Sequence, residues 1–128
     1  MSLRLWSCLI LIFGLNAQPL VAHDDSRLLG STRLSRAEND VDVVRVPCRP
    51  RIHALQLHAT RGQVEIERLW VRYGNGRVHH LPVADRIAEG GYTRWIDLRG
   101  GERCVVEVGV IGDTERSIDQ ARLEIYGR

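Results

Sequence analysis

From residue 28 onward the chain never sustains a 3.6-residue apolar period. It offers instead short runs of alternating or β-branched apolar residues cut by turn-forming residues. That punctuation excludes a helical bundle and a βαβ fold and leaves packed antiparallel sheets. Residues 28–34 read as a first strand and 35–40 as a loop. Val41, Val43, Val44 and Val46 form a second strand that Pro47 stops. Residues 52–59 lead through Arg61-Gly62 into 64–73 and read as a hairpin. In the second arm Val64 and Ile66 are apolar on even numbers, but Leu69, Val71 and Tyr73 on odd ones, which predicts a bulge near Glu67 or Arg68.

Gly74-Asn75-Gly76 supplies the positive φ values of a tight turn, and residues 77–83 return. Glu89-Gly90-Gly91 is a further turn. Residues 92–98 then alternate with Ile96 and Leu98 inward. Cys104, Val106, Val108 and Val110 share one face of the next strand, and Ala121, Leu123 and Ile125 one face of the last; 113–119 is compatible with one helical turn. About eight short strands of this kind predict an all-β antiparallel β-sandwich.

The first 22 residues follow a different logic. Arg4 precedes an apolar stretch over residues 5–15, and Leu20-Val21-Ala22 closes it, the order of a secretory signal. The apolar run is shorter than the roughly 20 residues of a membrane-spanning helix, and nothing later is apolar enough to span. Residues 1–22 are therefore expected to be a signal peptide and 23–128 a single exported, periplasmic domain, with cleavage after Ala17 as the alternative to Ala22. Cys8 falls inside the leader. The two other cysteines, Cys48 and Cys104, form an even pair in an oxidising compartment, which points to one structural disulfide.

All 18 basic residues are Arg, against 16 acids, for a formal net charge of +2. The signs are interleaved rather than gathered into a basic stripe, so no nucleic-acid partner is expected. No G-x-S-x-G, H-E-x-x-H or P-loop pattern occurs, and a non-catalytic protein without cofactor is expected. Glu65 and Glu67, two apart on one strand, are the carboxylates a small hydrolase would use. His79 and His80 are adjacent, and His53 and His58 five apart, so neither pair places both rings on one strand face; no metal is expected. His23 would chelate copper only if cleavage after Ala22 made it the N-terminus.

Two constellations suit binding. Trp70 and Trp95 occupy the register opposite their strands' apolar residues, where an indole can stack on the apolar face of a sugar ring; structural packing is the plainer alternative. Arg49 and Arg51, with Arg45, surround Cys48, and Arg103 adjoins Cys104. A 48–104 bridge would thus gather up to four guanidinium groups around a phosphate or carboxylate, or simply form a solvated face eased by Glu102.

The pieces Leu28-Leu29-Gly30, Asn39-Asp40, Pro47-Cys48, Thr93 with Trp95-Ile96-Asp97, Arg103-Cys104-Val105 and Ala121-x-Leu123-x-Ile125-x-Gly127 run the length of the exported part. In these the chain resembles the YaaI-like family of small exported bacterial proteins, whose function is unassigned. The resemblance implies a periplasmic, disulfide-bonded domain and no particular activity. Residues 52–110 are also similar in strand pattern to jelly-roll domains of the galactose-binding type, many of which bind sugars. The expected function is a non-catalytic binding or envelope-associated structural protein, partnered by an envelope glycan or envelope protein. Carbohydrate binding through an exposed Trp is the first alternative and a carboxylate hydrolase the second.

Overall fold

The computed structural model describes residues 25–34, 40–114 and 121–128. The expected leader with Cys8, His23, nearly all of the expected 35–40 loop and most of the expected 113–119 turn lie outside them. Among the described residues there are nine strands and no helix: β1 Arg27–Arg33, β2 Val41–Arg45, β3 Ala54–Thr60, β4 Val64–Tyr73, β5 Val78–Leu81, β6 Asp85–Ile87, β7 Ile96–Asp97, β8 Val105–Asp113 and β9 Arg122–Gly127. One sheet runs β1-β9-β3-β7, the other β2-β8-β4-β5, with β6 also on β4. Every pairing is antiparallel. The chain changes sheet at most connections, the interleaving of a double-Greek-key jelly roll. No helix among the described residues is long and apolar enough to cross a membrane.

The alternation explains the two layers. Leu55, Leu57 and Ala59 of β3 and Leu123 and Ile125 of β9 point inward from one sheet. Val64, Ile66, Leu69 and Val71 of β4 and Val108 and Val110 of β8 point inward from the other, all essentially solvent-free. The β4 phase change is a bulge: Ile66 pairs Gly112 and Arg68 pairs Ile111, leaving Glu67 as the extra residue. Cys48 and Cys104 are joined, with Cα atoms 4.5 Å apart.

Four expectations are corrected. The segments on either side of Arg61-Gly62 are not a hairpin, because β3 pairs with β7 and β9 while β4 pairs with β5, β6 and β8. The turn is real, with Arg61 at φ 62°, but it is an arch between sheets. Turn residues reverse a chain equally well within a sheet or across the core. A second bulge lies in β8, where Arg72 pairs Glu107 and Tyr73 pairs Val105, so Val105 rather than Val106 joins Val108 in the core. In the β4–β5 turn Gly76 has φ +88°, whereas Gly74 serves close approach: a Cβ there would sit 2.7 Å from Cys104 Sγ.

The strand expected over 92–98 survives only as Ile96–Asp97 and a single bridge between His58 and Tyr92. Buried Thr93 is the reason. Its hydroxyl accepts the Leu57 N–H at 3.0 Å and donates to Arg94 O at 2.8 Å, while its own N–H donates to Leu57 O at 2.9 Å. A side chain thus takes the place of a ladder carbonyl. The sheet edge is clipped there, leaving Tyr92 and Trp95 on the outside.

Candidate aromatic cleft

On the outer face of the β1-β9-β3-β7 sheet, Gln56 and His58 alternate with the buried residues of β3, and Glu124 and Tyr126 with those of β9. The register sets Gln56 opposite Tyr126 and His58 opposite Glu124. His58 Nδ1 lies 2.8 Å from Glu124 Oε1, and the Tyr126 hydroxyl donates to the same oxygen at 3.2 Å. The Tyr92 ring lies flat on the imidazole, 4.0 Å between centroids and 6° from parallel, and Tyr126 is tilted against both. Tyr92 keeps 55% of its surface exposed although its ring is held on one side.

Tyr92, Tyr126 and Trp95, with Ser26 and Gln56, enclose a cleft of about 320 Å³. That volume falls within the roughly 300–1,000 Å³ of small-molecule sites. The Gln56 amide is fixed by donating to Thr93 O at 2.9 Å, and the Arg128 guanidinium lies 4.3 Å from the Trp95 ring. Burial, then the Glu124 charge and its hydrogen bond, raises the pKa of Tyr126 above the ordinary 10, so its phenol stays neutral. The arrangement can stack a flat apolar ring face and hydrogen-bond its rim.

Trp70 is on the other sheet's outer face. Its indole lies over Gly109, directly opposite in the register, where any Cβ would collide with it, and the Arg72 guanidinium is 5.9 Å from its centroid. The two Trp residues therefore face opposite sides of the sandwich and cannot grip one ligand. Arg49, Arg51 and Arg103 do come together, around the disulfide, in a separate cleft with Glu102. Arg45 is not part of that cleft; it stands opposite Glu107 on the β2–β8 ladder.

Glu65 and Glu67 are both exposed, and the bulge at Glu67 breaks the i, i+2 alternation that would put them on one strand face. Glu65 is 3.9 Å from Arg86, whereas Glu67 lines a shallow groove with Arg68, His80 and Pro82. Of the histidines, His58 belongs to the aromatic cluster, His53 is exposed, and His79 and His80 diverge: His80 stands opposite Trp70, while His79 Nδ1 meets the Tyr73 hydroxyl at 2.8 Å.

Tyr92, Tyr126, His58, Gln56 and Glu124 escaped sequence reasoning. The outward parity of Gln56, His58, Glu124 and Tyr126 was readable in β3 and β9, whereas Tyr92 shares the even parity of inward Ile96 and Leu98. The adjacency of the cluster was not readable, since it needs the β3–β9 register and the Thr93 clip.

Burial first, then the positive charges of Arg99 and Arg103 and neighbouring His80, hold the His79 imidazole below its ordinary pKa of 6.5. The native state then binds fewer protons than the unfolded chain below that pH. Stability should accordingly fall as pH drops through and below 6.5. Urea unfolding at pH 7.5 and 5.5 should show a smaller drop in His79→Gln than in the parent; an equal drop in both would exclude His79 as the source.

A family model described as Domain of unknown function (DUF2541) matches residues 6–127. The chain is 30% identical over 122 residues to the UPF0412 protein YaaI of Salmonella newport (strain SL254), covering 91% of each chain. The same figures hold for the YaaI proteins of Salmonella agona (strain SL483) and Salmonella typhimurium (strain LT2). No solved structure matches it. As the residues around Cys48, Trp95 and Cys104 led us to expect, the chain belongs to the DUF2541 family, whose function is unknown.

Proposed function

We propose that this protein is an exported, non-catalytic binding module of the bacterial envelope that holds a sugar ring in the Trp95 cleft. The observation that carries the reading is the Tyr92 ring: half exposed, yet held parallel against an imidazole that is itself anchored on Glu124. An aromatic surface ordered before the ligand arrives loses little entropy on binding. Export is supported by the order of the leader and by the paired cysteines. A non-catalytic role is read from the sequence, in which no G-x-S-x-G, H-E-x-x-H or P-loop pattern occurs.

A second reading, an envelope-associated structural protein, draws on the opposite face. There Val41, Val43 and Val78 are exposed around Trp70.

Calorimetric titration with peptidoglycan and surface-polysaccharide fragments tests the first reading. Tyr92→Ala should weaken binding of the best fragment about tenfold, the equivalent of about 1.4 kcal/mol for one lost stacking surface. Trp70→Phe should leave it unchanged. Equal affinity in parent and Tyr92→Ala, or binding by no fragment, would overturn the reading.

A further inference from the structure

The second cleft lies at the disulfide. A bridge between Ile52 and Arg103, with N–H···O distances of 3.0 and 2.7 Å, brings the Cys48–Arg51 segment alongside Arg103-Cys104. The β4–β5 turn settles onto the sulfurs because Gly74 has no Cβ to strike Cys104 Sγ. Between them opens a space of about 440 Å³, lined by Arg49, Arg51, Arg103, Tyr73, Asn75 and Glu102.

Three arginines and one glutamate thus line this cleft. Arg103 is fixed before any ligand arrives: its guanidinium lies 3.7 Å from the Tyr73 ring centroid, and its Nη1 donates to Arg99 O at 2.8 Å. Stacking leaves its remaining N–H groups as a planar fork, the geometry that suits bidentate oxyanions. Arg49 and Arg51 are exposed and free to close on a bound group. Asn75 Oδ1 accepts the Arg77 N–H at 2.9 Å, which leaves the amide NH₂ as a further donor. The positive field extends beyond the lining, since Arg99 and Arg103 both disfavour a protonated His79.

A carboxylate would be matched by a single fork; three forks suit a group with three oxygens and two charges. We propose that this cleft binds the phosphoryl group of a phosphate monoester, held by Arg49, Arg51 and Arg103. The site is independent of the Trp95 cleft, and its volume leaves room for the group the phosphate is attached to.

The test compares melting of the oxidised protein in inorganic phosphate and in glycerol phosphate with melting in chloride at equal ionic strength. Co-sedimentation with vesicles of phosphatidylcholine containing phosphatidic acid supplies the lipid-borne arm. A saturable rise in melting temperature specific to the phosphates is expected for a soluble ester, and specific vesicle binding for a lipid headgroup. Either supports the site. The double variant Arg49→Gln/Arg51→Gln, altered only at exposed positions, should lose at least tenfold in affinity, whereas Trp95→Ala should keep it. Arg103→Lys, which keeps the charge but not the fork, should weaken binding as well. No effect beyond chloride together with no vesicle binding, or unchanged affinity in the double variant, would overturn the proposal.

Discussion

Cys48→Ser/Cys104→Ser is expected to lose about 4 kcal/mol of stability relative to the oxidised protein. The two cysteines are 56 positions apart in sequence, so the bridge closes a long loop and removes much of the freedom of the unfolded chain. It also ties the segment after β2 to the start of β8, beside the Ile52–Arg103 bridge. Against the roughly 5–15 kcal/mol that holds a domain of this size together, such a loss leaves the double variant near its unfolding threshold. Urea unfolding of parent and variant checks this. Coincident midpoints would mean that the jelly roll stands without its covalent tie.

The second large effect is expected at Leu123. This side chain is fully buried near the start of β9, between Thr32 of β1 and Ala59 of β3, both smaller than itself. Neither neighbour can fill the space that Leu123→Ala would leave, so the transfer loss and the cavity add to about 3 kcal/mol. Leu28→Ala, on the same sheet but 51% exposed, should change stability by less than about 0.5 kcal/mol. Equal losses at the two positions would contradict the inward register of β9 and the layering built on it.

Much of that register was legible in the residues. The parity of Ala121, Leu123 and Ile125 gave the buried face of β9, and the parity switch in β4 gave a bulge at Glu67 or Arg68, which the pairing with β8 places at Glu67. The disulfide was expected from an even pair of cysteines outside the first 22 residues, Cys48 and Cys104. The β3–β4 arch was hidden because Arg61-Gly62 reverses the chain without naming a partner. β6 was hidden because its three residues, with one apolar side chain, carry no alternation. The Val106 bulge was hidden because Val105 and Val106 are both apolar, so the start of β8 reads the same with or without a shift, and only pairing with β4 decides.

The same division applies to the candidate site. Trp95 could be singled out as an outward aromatic, and Arg49, Arg51 and Arg103 as neighbours of the cysteines. The stacking of Tyr92 on His58 depends on a threonine hydroxyl standing in for a backbone carbonyl, which no local pattern announces. Trp70, equivalent to Trp95 by parity alone, lies against Gly109 on the opposite face.

That contrast supplies the most direct test. The indole N–H resonances of Trp70 and Trp95, followed by two-dimensional NMR during titration with the tightest-binding glycan fragment, report the two faces separately. A ring held in the cleft predicts a saturable shift of Trp95 with Trp70 unmoved. A shift of Trp70 alone, or of neither indole while the fragment binds, would contradict it.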